Sequence, residues 1–314
     1  MGKNVIYVVG HKNPDTDSVC SAILFANMMN KVGMKEEYIP ATLGDINRET
    51  SWILREWGLK PPENILNKKV NKVFLVDHNE KSQSIDCECE ITGICDHHSL
   101  NNFSYHKVIP ITISPLGSTA SIIYSTMDSL EYQKTKTDKG LTLSAILSDT
   151  LGLASSTTTL TDRIIARTLS QQLAIDLDNY FIKMFQQSSV SDLSSKEIFH
   201  SDIKTYVEAD ESFTIGQALV TTGTEEEEIE RKIKTFITAK SIKKNFFMIT
   251  NIFTRETLLL TTINNETVLN EFNTKIQKSG ILCSVRLFNK MSRKKDVLPV
   301  IRRYYADNTK KNKE

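Results

Sequence analysis

Apolar positions in the first 187 residues follow two alternating patterns. Short, nearly continuous apolar runs predict strands at 4–10 (NVIYVVG), 36–41, 72–77 (KVFLVD), 91–95 (ITGIC) and 107–113. Between them, apolar residues at helical spacing predict helices over 16–31, 48–57, 117–130, 139–149, 161–174 and 176–187. Strands apolar along their whole length and separated by helices predict an α/β domain: a parallel sheet with helices on both faces. Ligands in such sheets gather at the carboxyl ends of the strands.

The pattern changes after 188–195 (SSVSDLSS), which is small, polar and aperiodic and reads as a hinge linker. Beyond it come strands at 202–208 and 213–220, a helix over 225–244, strands at 245–252 and 256–262, a helix over 265–278 and a strand at 281–287. Strands adjacent in order predict a smaller α+β unit over 196–307, and 308–314 (TKKNKE at its end) reads as a charged tail.

Composition narrows the function classes. The 39 basic and 38 acidic residues nearly cancel, so no global field selects nucleic acid or an anionic membrane. No apolar stretch approaches the ~20 residues of a membrane span, and the run at 5–10 is too short for a signal sequence. Five cysteines, an odd number in a long chain, do not suggest a disulfide framework. A cytoplasmic protein is the simplest expectation.

The candidate chemistry lies at the ends of the predicted strands. His11, Asp15 and Asp17 follow the first (GHKNPDTDS), Asp77 ends another (VFLVDHNE), and Asp96, His97 and His98 follow a third (ITGICDHH). Asp149 closes a helical segment (LSAILSD). Singly, each has a plainer reading: a helix cap, a strand end, a solvated helix terminus. Together they would converge on one sheet edge, where carboxylates repel unless cations neutralise them. Carboxylates mixed with imidazoles suit six-coordinate Mn²⁺ or related ions, and there are donors enough for two. A zinc site using Cys87, Cys89 and Cys95 beside His97 is the competing assignment, although C-x-C…C-x-H is not a standard zinc spacing. In the second unit, SRKKDVLPVIRR (292–303) offers either a solvated charge run or a cationic clamp for phosphate.

GHKNPDTDS, VDHNE, CDHH, LSAILSD and SRKK, in that order, resemble the family II, manganese-dependent inorganic pyrophosphatases of the DHH phosphoesterase superfamily. The resemblance implies that 1–187 is the DHH catalytic, metal-binding domain and 196–307 a substrate-clamping domain that closes about the hinge, with the active site in the interdomain cleft. It implies two Mn²⁺ ions, with Co²⁺ or Mg²⁺ able to substitute or accompany substrate. His11, Asp15, Asp77 and Asp149 would hold one ion; Asp17, Asp77, His97 and Asp149 the other. A metal-bridged hydroxide would attack pyrophosphate, with His98, Lys204, Arg293 and Lys294 stabilising the departing phosphate. Asp96 would support the site, and SPLGSTAS (114–121) resembles the family's stretch beside it. Asp296 stands where the family usually has glutamine, and a homodimer is implied.

Three rivals remain. An exopolyphosphatase or short-polyphosphate hydrolase of the same superfamily often lacks the first histidine, which is intact as His11. A DHH phosphodiesterase acting on oligonucleotides would carry a glycine-rich loop, and no two glycines are adjacent in this chain. A silent metal-binding protein would lack a ligand, and every expected one is present. The Ser/Thr-rich 155–161 has no counterpart in the pattern.

Overall fold

The computed structural model describes residues 4–33, 35–86, 88–100, 103–187, 192–209, 211–240, 242, 244–262 and 265–311, with side chains described as far as residue 307. The chain divides into two compact units, Met1–Ser188 and Ser189–Glu314.

The first unit contains β1 (Val5–Lys12), α1 (Thr16–Lys31), β2 (Glu37–Leu43), α2 (Arg48–Glu56), β3 (Glu63–Asn64), β4 (Lys72–Val76), β5 (Glu90–Asp96), β6 (Ile111–Ile113), α3 (Thr119–Ser129), α4 (Lys136–Asp149), α5 (Leu160–Leu173) and α6 (Leu177–Gln187). The strands form a sheet in the order β3-β2-β1-β4-β5-β6, and every pairing is parallel. Its larger core buries Val8 and Val76 from the sheet against Val19, Leu24 and Met28 of α1, Ile123 of α3 and Leu143 and Ile146 of α4. Val9, Leu43, Val73, Leu75 and Ile94 form a second core, packed by Leu66, Val70, Phe103 and Ile109. None of those second-core residues is helical, so connecting segments cover that side while the helices gather on the other. The parallel sheet with its helices is as expected. The β4–β5 connection carries a 3-10 turn at Lys81–Gln83.

The second unit contains α7 (Ser195–Ser201), β7 (Ile203–Glu208), β8 (Glu211–Val220), α8 (Gly223–Lys240), β9 (Asn245–Asn251), β10 (Glu256–Thr262), α9 (Glu266–Asn270), β11 (Gln277–Ser279), β12 (Leu282–Phe288), a π-helical turn at Arg293–Val297 and α10 (Leu298–Lys311). Its sheet is mixed, in the order β11-β12-β10-β9-β8-β7, with β8 and β9 parallel. One face packs on α7 and α8 through Ile198, Ile229, Ile233 and Ile237. The other packs on α9 and α10 through Leu269, Ile301 and Tyr305.

Three local expectations need correction. The helix expected over 265–278 stops at Asn270; Asn273 takes a left-handed φ of 52°, and Gln277–Ser279 pairs with β12 instead. The expected tail is helical through Lys311, continuing α10; residues 312–314 lie outside the described residues. Ser194 caps α7 at the end of the expected linker, with Glu197 completing a reciprocal capping box. Linker residues 188–191, and Cys87 of the competing zinc site, lie outside the described residues.

Candidate metal centre

Parallel pairing of β1 with β4, and of β4 with β5, sets three carboxyl ends side by side. The strand order reverses direction between β1 and β4, the position where open α/β sheets form a crevice. β1 ends on His11 and Lys12, β4 runs directly into Asp77, and β5 ends on Asp96 before His97 and His98. α1 starts close against β1: a Cβ on Gly10 would lie 1.7 Å from Ser18 Oγ, so only glycine allows the approach. Ser18 Oγ in turn accepts from the His11 backbone N–H at 3.1 Å.

Asp15 satisfies two readings with two oxygens. Oδ1 accepts from Ser18 N–H at 3.0 Å as the N-cap of α1, while Oδ2 lies 3.2 Å from His11 Nε2. Asp77 has a left-handed φ of 60°, a conformation aspartate tolerates better than most residues and one that clusters at functional sites.

Both ligand-like histidines are oriented from behind. His11 Nδ1 lies 2.8 Å from Lys12 O, and His97 Nδ1 lies 3.0 Å from Leu116 O. A carbonyl only accepts, so each Nδ1 carries the proton and each Nε2 points at carboxylates. His11 Nε2 is 3.5 Å from Asp77 Oδ2; His97 Nε2 is 3.4 Å from Asp77 Oδ1 and 3.2 Å from Asp149 Oδ2. Asp17, fully buried, accepts from Ser21 Oγ, Ser118 Oγ, Thr119 N–H and Ala120 N–H at 3.1, 2.7, 2.6 and 3.1 Å. It therefore sits on the amino end of α3, where exposed N–H groups favour an anion. Thr119 Oγ also donates to Asp77 Oδ1 at 3.0 Å.

Ligand atoms of Asp17, Asp77, His97 and Asp149 lie within 4.8 Å of one another, as do those of His11, Asp15 and Asp77. The first quartet is one of the two expected ligand sets complete. The second group holds three of the four expected for the other set, without Asp149. Asp77, with both its oxygens used, is common to both. No cysteine belongs to any such group among the described residues, and Cys95 is a buried free thiol, which removes support from the zinc assignment.

The electrostatics state the same need for cations. Burial, with the charges of Asp77 and Asp149, holds the Asp17 carboxyl well above the usual range. Burial also raises Asp149, the hydrogen bond from His97 only partly opposing it. Burial would raise Asp77 too, but the hydrogen bond from His97 and the nearby imidazoles outweigh it and pull the group down. Burial disfavours charge on His11, yet Asp15 and Asp77 push it up to about 9. Burial likewise opposes charge on His97, which Asp149 and Asp77 nonetheless raise well above its ordinary value.

Asp96 is a scaffold beside this cluster. It accepts from His98 N–H at 3.0 Å, His98 Nδ1 at 2.9 Å and Asn79 Nδ2 at 2.6 Å. Against the effect of its burial, the His98 and Asn79 bonds hold its carboxyl far below the usual range. With Nδ1 tied, His98 keeps only Nε2 for other work, and its side chain is 29% exposed.

In the second unit, Lys204 is exposed on β7 and Lys294 is exposed in the π-helical turn. Arg293 is buried instead. Its guanidinium donates to Asp202 O at 3.0 Å, Ile215 O at 3.3 Å and Asp202 Oδ1 at 2.8 Å. That fork docks the turn two residues from Lys204. Asp296 accepts from the N–H groups of Met291 and Ser292 at 3.0 and 2.8 Å, so the departure at this position serves to brace the turn. Reading the sequence missed Asn79, Asp162 and Asp202. For Asp162 a signal existed: Thr159-x-x-Asp162 is a capping box at the head of α5.

Comparison with known proteins places the whole chain. Residues 5–153 match the model of the DHH family N-terminal domain, and residues 183–304 match the DHHA2 domain. The manganese-dependent inorganic pyrophosphatase of Methanocaldococcus jannaschii is 35% identical over 315 residues, covering 95% of this chain and 99% of its own. That of Bacillus subtilis is 32% identical over 309 residues, covering 94% and 97%. A crystal structure of a Methanococcus jannaschii protein assigned to the family II inorganic pyrophosphatases superposes with a TM-score of 0.78 at 34% identity, over 95% of this chain and 99% of that one. An exopolyphosphatase-related protein of Bacteroides fragilis shares the fold at a TM-score of 0.51 and 15% identity. A DHH domain joined to a DHHA2 domain, with full-length relatives above 30% identity, makes this chain a member of the manganese-dependent inorganic pyrophosphatase family.

Proposed function

We propose that the protein hydrolyses inorganic pyrophosphate to two phosphates with two divalent cations, manganese by family, held at the carboxyl edge of the first sheet. The observation that carries the reading is the Asp17, Asp77, His97 and Asp149 quartet. Its donor set fits Mn²⁺: the buried His97 Nε2 faces the carboxylates of Asp77 and Asp149 at 3.4 and 3.2 Å, a mix of imidazole and carboxylate that suits the ion. Asp17, Asp77, His97 and Asp149 would hold one ion, and His11, Asp15 and Asp77 the other, with Asp149 contributing to both as the family pattern implies. Bound there, the ions would make water acidic enough to attack phosphorus at neutral pH and would neutralise phosphate oxygens.

The chain's own side chains would contribute as follows. Asp96 fixes the His98 ring so that Nε2 is free to hydrogen-bond a phosphate oxygen or exchange a proton with it. By the family pattern, Lys204 and Lys294 would supply positive charge to the leaving phosphate. Arg293 would act with them in competition with Asp202, to which both of its terminal nitrogens donate.

Two expectations follow. Lys294→Ala should leave Mn²⁺ affinity unchanged and lower kcat/KM for pyrophosphate by about 10²-fold, seen as phosphate release beside a chelator-competition titration. Asp202→Asn removes an ion pair whose acid is half exposed, worth about 0.5–1 kcal/mol, and should lower KM about two- to fivefold if Arg293 serves substrate. An unchanged or raised KM would assign Arg293 to bracing the turn alone. The reading as a whole is tested by phosphate release from pyrophosphate, tripolyphosphate and long polyphosphate with Mn²⁺ after metal stripping; preference for a longer chain would favour the exopolyphosphatase alternative.

A further inference from the structure

We infer that Asp162 is a positioning residue for the metal centre, fixing the turn whose donors hold Asp17; the inference rests on the assignment of Asp17 as a metal ligand. Asp162 is fully buried in the first turn of α5, 45 positions from the turn it binds. Its Oδ2 accepts from Gly117 N–H at 2.8 Å and from Thr159 N–H and Oγ at 2.8 and 2.6 Å. Its Oδ1 accepts from Ser121 Oγ at 2.6 Å.

The bonds to Thr159 make an ordinary capping box, and capping needs nothing more. The bonds to Gly117 and Ser121 reach a different element, on either side of Ser118, Thr119 and Ala120. Those three supply three of the donors to Asp17, and Thr119 Oγ also reaches Asp77. Space is fully used at this junction. A Cβ on Gly117 would lie 2.7 Å from Asp162 Oδ2 and 2.6 Å from Thr150 Cγ, and Thr150 follows Asp149 directly. Asp162 thus pins the amino end of α3 beside the end of α4, and both ends carry or hold metal-facing carboxylates.

The Ser/Thr-rich 155–161 acquires a purpose. Ser155 Oγ bonds Thr157 Oγ at 2.7 Å and accepts from Thr157 N–H at 3.2 Å, and Thr159 caps α5. The segment is a hydrogen-bonded reversal that delivers Asp162 from the end of α4 to Gly117.

The experiment uses the full chain, metal-stripped, with Mn²⁺ affinity read by chelator competition and folding by circular dichroism. Asp162→Ala should weaken Mn²⁺ binding about 10–100-fold, the usual cost of losing a partner that orients a ligand. Thr159→Ala, which loses capping only, should lower Tm by about 2–4 °C and change Mn²⁺ affinity by less than about twofold. Asp162→Asn keeps an acceptor toward Gly117 and should recover affinity to within about threefold of the unmodified protein. Should Asp162→Ala fail to fold, Ser121→Ala removes only the Oδ1 bond and should weaken Mn²⁺ about three- to tenfold. Unchanged affinity in the folded Asp162→Ala or Ser121→Ala variant, or an equal loss in Thr159→Ala, overturns the inference. Asp17→Asn separates the failures. If it too binds Mn²⁺ normally, the metal assignment falls and takes this inference with it. If it loses Mn²⁺ while Asp162→Ala does not, only the role of Asp162 falls.

Discussion

Asp77→Asn is expected to lower pyrophosphate turnover by on the order of 10³-fold or more while leaving the fold intact. Asparagine is isosteric and tolerates the left-handed φ of 60°, and its Oδ1 can still accept from Thr119 Oγ. What it loses is the negative charge. Among the described residues, Asp77 is common to both groups of potential metal donors, and its two oxygens face His97 on one side and His11 on the other. An amide nitrogen in either position puts a donor where a cation should sit. The loss should appear in Mn²⁺ stoichiometry as well as in rate, measured by phosphate release and by metal content after gel filtration. A variant that keeps unmodified turnover and binds two Mn²⁺ would sink the metal assignment. Asp149→Asn should behave similarly, since Asp149 faces the same His97 Nε2.

The residues gathered at this centre are legible in the sequence because strand ends are legible. VIYVVG, KVFLV and ITGIC are apolar throughout, which marks interior parallel strands, and topology then gathers whatever follows them. Legibility failed where a local signal had two meanings. Residues 265–278 have a helical period, but Asn270 and Asn273 invite a turn, and pairing with β12 turned 277–279 into strand. α10 is marked in the sequence only by Leu298, Ile301 and Tyr305 at helical spacing and by Pro299, which suits a first turn. Arg293 shows a different limit. Adjacent cations in SRKK look alike in sequence, yet one is buried on Asp202 and the next is exposed. That division is set by Asp202 and Ile215, about 80–90 positions away, and no local pattern encodes it.

Metal-stripped protein should lose thermal stability as pH rises from 6 to 9, and saturating Mn²⁺ should abolish or reverse the loss. His11, largely buried, is pushed up from 6.5 to about 9 by Asp15 and Asp77, which outweigh its burial. A group whose folded value is raised contributes stability that is full below its unfolded value and is lost as pH climbs through the folded one. For His11 that window is about 6.5 to 9, and the contribution is at most about 3 kcal/mol. His97 is raised as well, so it acts in the same direction. Burial also raises Asp17 and Asp149, so keeping them ionised becomes more costly to the fold as pH increases. Asp77 is lowered against its burial by the His97 bond, and its stabilisation disappears only in acid, as pH falls through its folded value. Mn²⁺ binds the deprotonated ligands and replaces the protons that held the cluster together, so its own contribution grows with pH. Melting temperatures at pH 6 and 9, with chelator and with excess Mn²⁺, give the four values needed. A metal-stripped Tm that stays level or rises toward pH 9 would mean that His11 and His97 do not neutralise this cluster.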